Sequence, residues 1–192
     1  MLAYIIAICT SDAIILFLNL LLCQSQLSVK GILIVTLLLP PILIAIDGVA
    51  AGLVRYALPK KWFDYKVKFH IASKKECRFY EKIGIKSWKD HVVELGMFTA
   101  FSKKEVAKPN SIEYIERFIL ECNYGVLGHL AGVVCGYLLL FCFPQKYMLT
   151  IVLPAACVNA VLSILPLMVL RYNVPRLQSI LSGLQKHSAA KD

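Results

Sequence analysis

GILIVTLLLPPILIAIDGVAAGLVRYALPKKWFDYKVK, residues 31–68, passes from oil to cation within a few positions. Its first part, Gly31 to Leu58, exceeds the roughly 18–20 apolar residues that a helix needs to cross a bilayer. The residues that follow carry Lys60, Lys61, Lys66 and Lys68. The whole chain repeats this segregation. Its 192 residues are 58% hydrophobic and 17% charged, against about 45–50% and about 25% in soluble domains. Yet 21 Lys+Arg face 12 Asp+Glu, a formal net charge of +9. A chain both oily and basic keeps the two properties in separate segments. That excludes disorder, a disulfide-stapled secreted module and an evenly mixed soluble enzyme.

Three more runs pass the same length test: Leu2 to Cys23, residues 111–143 (apolar from about Phe118), and Tyr147 to Leu170. The first lacks a preceding cation, holds Asp12 and shows no convincing cleavage site, so it reads as a retained helix rather than a secretory signal. In the second, Pro40-Pro41 removes backbone donors and predicts a bend or break. The fold class is therefore all-α integral membrane, with four transmembrane helices and a structured basic segment, 59–110, between the second and third. Residues 171–192 read as a tail, and the whole as a single membrane domain. Thirteen cations lie between Pro59 and Asn110 and four follow Leu170, so 17 of the 21 share one predicted side. Positive-inside bias makes that side cytoplasmic, with both termini, and the plasma membrane the expected location. Six of the seven cysteines (all but Cys77) sit in or beside apolar runs, with no CxxC or Cys/His ligand spacing; they read as buried thiols, and no metal is expected.

Within the basic segment, Phe63, Tyr65, Val67, Phe69 and Ile71 alternate with polar residues, the period of a strand or extended ribbon. Glu76 to Ile83 reads as a short helix ended by Gly84. Ser87 then caps another, with Trp88, Val92 and Leu95 as its apolar face and Gly96 past its end. Lysines interleaved with aromatic residues beside a membrane suit anionic headgroups, or simply a solvated loop. Nucleic acid is not an expected partner, because no binding module surrounds these charges.

Asn110-Ser-Ile-Glu113 resembles a capping box and starts the third long helix near Ser111. On that helix Glu121 and His129 lie eight residues apart, about 80° around the axis, so both can face one side. They are a candidate general base and orienting partner, or an interhelical hydrogen-bond pair. Asp12 and Asp47 are acids inside apolar helices, a functional signal or a bond between helices. Asp47 adjoins Gly48 and Ala50-Ala51-Gly52, small residues that allow close helix approach. RYNVPRL, residues 171–177, offers two guanidiniums that could clamp a phosphate or carboxylate, or anchor the helix end.

RYNVPRL resembles the block after the last helix in the glycosyl-4,4'-diaponeurosporenoate acyltransferase family, small bacterial membrane proteins of staphyloxanthin-type carotenoid biosynthesis. LPKKWF (58–63) and KSWKDHVVELG (86–96) are similar to two further family blocks, and Glu121 and His129 look like its Glu and His. The likeness covers roughly residues 58–180. It implies transfer of a fatty acyl group to a sugar hydroxyl on a membrane lipid. By position it points to Glu121, His129, Trp88, Lys89, Arg171, Tyr172, Asn173 and Arg176. Chemistry suggests the roles: His129 as base, Glu121 orienting it, and Arg171, Arg176 and Lys89 holding the donor's phosphate or the oxyanion.

No tightly bound cofactor is expected. The acyl donor (coenzyme A, carrier protein or phospholipid) is a co-substrate, and the partners are membrane lipids and a lipid or glycolipid acceptor; the oligomeric state stays open. The His-x4-Asp plan of glycerolipid acyltransferases fails at His70, His91 and His129 and recurs only at His187 with the terminal Asp192. A non-catalytic lipid-binding or accessory protein, and a small transporter using Asp12 and Asp47, are the competing classes.

Overall fold

The computed structural model describes residues 2–23, 26–67, 71–92 and 106–190. All regular structure among them is helical. The main helices are α1 (Leu2–Leu22), α2 (Val29–Ala57), α3 (Lys74–Lys82), α4 (Ile112–Leu138) and α5 (Leu153–Ala189). Those other than α3, two of them with their adjoining turns, are long and apolar enough to cross a membrane, as expected. Large apolar side chains such as Phe17, Leu21, Leu37, Val49, Leu53 and Val161 are exposed, while Asn19, Glu121, Asn123, Asn159 and Ser163 are buried. This inversion of the water-soluble pattern fits a surface solvated by lipid. The chain is a multi-pass membrane protein.

Several boundaries differ from the sequence reading. Pro40 and Pro41 lie within α2, which runs on without a break. Residues 171–189 are not a tail but the last turns of α5. Pro166 and Pro175 each cost α5 one hydrogen bond. The Leu162 carbonyl, four residues before Pro166, receives the Tyr4 hydroxyl at 3.4 Å instead. Before α5 the chain makes one helical turn, Gln145–Tyr147, and one wide π turn, Met148–Val152.

The chain divides into two compact units. One comprises residues 1–52 and 128–164, the other 53–127 and 165–192. The first is centred on Ile15, Ile32, Leu39, Leu43, Ile151 and Val152. Asn19 serves it as a polar staple, donating to the Ile15 and Thr150 carbonyls, each at 2.8 Å. Gly128, Gly132 and Gly136 line one face of α4, four residues apart. Added β-carbons there would meet Ala51, the Asp47 carboxylate and Asn159. The small residues at this seam are thus these three on α4, met by Ala51. Gly48 and Gly52, the small residues singled out beside Asp47, have open space around them.

The second unit is centred on Ile115, Phe118, Ile119, Cys122, Val174 and Leu177. The expected ribbon is absent among the described residues: Lys60–Phe63 form a 3-10 turn, and residues 68–70, with Phe69 and His70, lie outside them. The alternation still marks packing. Phe63 is fully buried, and Tyr65 and Ile71 pack on the core of this unit. Side-chain amides take up two of the carbonyls that a ladder would use. Asn123 Nδ2 donates to Phe63 O and Gln178 Nε2 to Tyr65 O, both at 2.7 Å.

Ser73 caps α3 with a reciprocal Glu76 box, and Gly84 ends it at φ 73°, in the left-handed region that glycine enters without strain. The next helix is one turn, Ile85–Trp88, followed by a 3-10 turn, Lys89–His91. Ser87 does not cap it; its hydroxyl donates to Gly84 O at 2.7 Å. Leu95 and Gly96 lie outside the described residues. α4 starts near Ser111 as expected, but the cap is Ser111 itself and not Asn110: its hydroxyl accepts from Tyr114 N at 3.2 Å.

Candidate functional site

The polar side chains singled out by sequence fall into three groups, two in the second unit and one in the first. At the end of α2, Arg55 reaches Glu121 on α4 with two parallel bonds, Nη1 to Oε2 at 2.9 Å and Nη2 to Oε1 at 2.6 Å. Glu121 is only 3% exposed, so this fork–fork pair supplies the counter-charge that a buried carboxylate requires. The Arg55 guanidinium also lies over the Tyr124 ring, 5.3 Å from its centre, and Phe63 stacks on that ring at 4.2 Å. Sequence reasoning found Glu121 but missed Arg55, Asn123 and Tyr124. The available signal was Arg55 itself, a cation at the end of an apolar helix, where an ionic partner is the rule.

The second group joins α3 to the RYNVPRL block. Arg171 donates to both Glu76 oxygens, Nε to Oε1 at 2.5 Å and Nη2 to Oε2 at 2.8 Å. Tyr80 donates to the same carboxylate at 2.5 Å. The Tyr172 hydroxyl donates to Glu81 at 3.0 Å, and Lys86 pairs with Glu81 at 3.0 Å. Arg176 donates from Nη2 to the Tyr172 hydroxyl at 2.7 Å and lies over its ring, 4.5 Å from the centre.

The electrostatics of α3 follow from these bonds. The Arg171 guanidinium, with help from Tyr80, holds the Glu76 carboxyl below its ordinary range despite partial burial. Burial and the Glu76 charge push the Tyr80 phenol up to about 12. Lys86 and then Tyr172 lower Glu81, and Glu81 in turn raises Lys86.

The two arginines of the block therefore differ. Arg171 is committed to Glu76, whereas exposed Arg176 has no carboxylate partner among the described residues. Trp88 is half-buried against Tyr172's cluster and donates from Nε1 to Ile83 O at 3.1 Å, sealing the end of α3. Among the described residues Lys89 pairs with Asp90, at 3.8 Å, and Asn173 is half-buried on α5. Glu76, Tyr80 and Glu81 were not foreseen as partners, because nothing in their spacing shows what faces them from α5.

The third group belongs to the first unit. The Asp47 carboxylate accepts from Asn159 Nδ2 at 3.3 Å and Ser163 Oγ at 3.2 Å, the bond between helices that was one of its two readings. Asp12 lines a shallow, mainly apolar cleft with Ser11, Pro40 and Asn159. His129 also belongs to this unit and is half-buried on α4. No group of three metal-ligating side chains occurs among the described residues.

No curated protein and no solved structure matches the chain. A family model described as glycosyl-4,4'-diaponeurosporenoate acyltransferase matches residues 59–183. That stretch runs from the Lys60–Phe63 turn through α3, Glu121 and His129 to beyond RYNVPRL. With well over half its length matched, the chain belongs to the glycosyl-4,4'-diaponeurosporenoate acyltransferase family, acyltransferases of carotenoid biosynthesis.

Proposed function

We propose that the protein transfers a fatty acyl group to a hydroxyl of a glycosylated or polar-headed lipid at the cytoplasmic face of the plasma membrane. Both termini and the basic segment face the cytoplasm in this reading, following the distribution of cations. The donor is a soluble or lipidic acyl carrier used as co-substrate, with no resident cofactor.

The observation that carries it is Arg176, exposed and held against Tyr172 with no carboxylate bonded to its guanidinium among the described residues, in a block matched by the family. An arginine positioned in this way suits the phosphate of an acyl carrier. Arg171, spent on Glu76, acts as a positioning residue. His129 accepts the proton of the acceptor hydroxyl. The oxygen attacks the donor's acyl carbon, an ester bond forms, and the carrier leaves with a proton returned from His129. Glu121 contributes through Arg55, fixing the helix that carries His129.

The test is acyl incorporation into a glycosylated lipid by purified protein in vesicles. His129→Ala is expected to lower turnover at least a hundredfold, the scale of lost general-base catalysis, with unchanged elution and melting in detergent. Unchanged turnover in the folded variant would reject His129 as the base, and no turnover by the unaltered protein would favour an accessory lipid-binding protein.

A further inference from the structure

The face of α3 turned away from α5 has no role in this scheme. Around the helix, Lys75, Phe79, Lys82 and Ile83 fall within an arc of about 100°. Phe79 is 55% exposed and Ile83 42%, and both lysines are exposed with no carboxylate partner among the described residues. The adjoining arc, with Glu76, Cys77 and Tyr80, packs towards Tyr172, Met168 and Val169 of α5.

Two observations fix where this face lies. The first is depth. The apolar run Tyr147 to Leu170, which α5 completes, is about 36 Å long at the helical rise, enough to cross the roughly 30 Å hydrocarbon thickness. Arg171 and Tyr172, which hold α3, follow at once, where the apolar run ends. The second is attachment. Glu76 and Glu81 are five residues apart, about 7.5 Å along α3, yet they bond adjacent residues of α5 only about 1.5 Å apart along its axis. Both carboxylates of α3 are therefore tied to one level of α5, the level at which its apolar run ends, and that attachment keeps α3 there.

We propose that α3 is an interfacial anchor that selects anionic phospholipid. Phe79 and Ile83 enter the boundary of headgroups and acyl chains, and Lys75 and Lys82 meet the headgroup phosphates. Lys and large apolar side chains on one arc would also suit an acidic protein. Depth and attachment favour the bilayer in which the chain is already embedded.

The experiment uses the full chain with Phe79→benzoylphenylalanine in vesicles of equimolar phosphatidylglycerol and phosphatidylcholine. After illumination, adducts are identified by mass spectrometry. Phosphatidylglycerol adducts are expected to dominate. K75Q/K82Q should erode that preference by about fivefold per lysine at low salt, and added salt should act likewise. As a measurement without the probe, phosphatidylglycerol co-purifying with the chain should fall in K75Q/K82Q. Equal adducts of both lipids would overturn the proposal. So would the absence of lipid adducts, or adducts that move to an added acidic acyl carrier protein.

Discussion

At the scale of single residues, the Arg55–Glu121 pair joins a buried carboxylate of the second unit to a partly exposed guanidinium. Glu121 is 3% exposed, and its carboxylate has been taken from water on the strength of one guanidinium. Arg55→Ala leaves that charge stranded. Breaking a buried pair costs about 3–5 kcal/mol, and the partial exposure of Arg55 places this one near the lower end. The expected result is a lower melting temperature in detergent. Arg55→Met with Glu121→Met should recover most of the loss, since two apolar side chains leave nothing unpaired. A double variant as unstable as the single would show that the pair is not the source. Helical spacing disclosed that Glu121 shares a face with other polar groups. It could not disclose a partner 66 positions away, because only packing brings α2 to α4.

At the scale of elements, α3 is a helix of nine residues and too short to persist alone. It is held by its Ser73 cap, by Gly84 and by Glu76 clasped to Arg171. The Glu76 pKa is lowered in the folded chain. Its contribution is therefore present above the ordinary carboxylate range and lost as pH falls through the lower folded value. Tyr80 is raised to about 12, so its contribution is present below the ordinary tyrosine value and lost as pH rises through about 12. Hydrogen exchange of α3 amides should show protection from neutral pH to about 10, with selective loss in acid that Glu76→Gln makes independent of pH. Unaltered acid sensitivity in that variant would remove Glu76 as the cause. The existence of this helix was legible from Gly84 and the spacing before it. The strand or ribbon expected over 63–71 is absent among its described residues, because a period of two records which side chains are buried and not what satisfies the backbone. Asn123 and Gln178, far along the chain, decided that.

At the scale of the molecule, the apolar runs were the most legible feature, since length alone selects helices that span. The extent of α5 was not, because polar RYNVPRL ends the oil without ending the helix. The cation distribution predicts orientation. A reporter active only in the cytoplasm should work when fused at either terminus or inserted after Lys108, and fail when inserted at Gln26. Activity at Gln26 would invert the arrangement. The unbroken course of α5 also constrains how RYNVPRL can recognise anything. Within a helix the main-chain amides are already engaged by carbonyls one turn back, apart from Pro175, which has none to give. A phosphate there meets no cradle of peptide N–H groups of the kind a loop or a helix start provides. Whatever selectivity the block possesses must be written in the angular fork of a guanidinium and the reach of a phenol, a grammar in which arginine and lysine are different words.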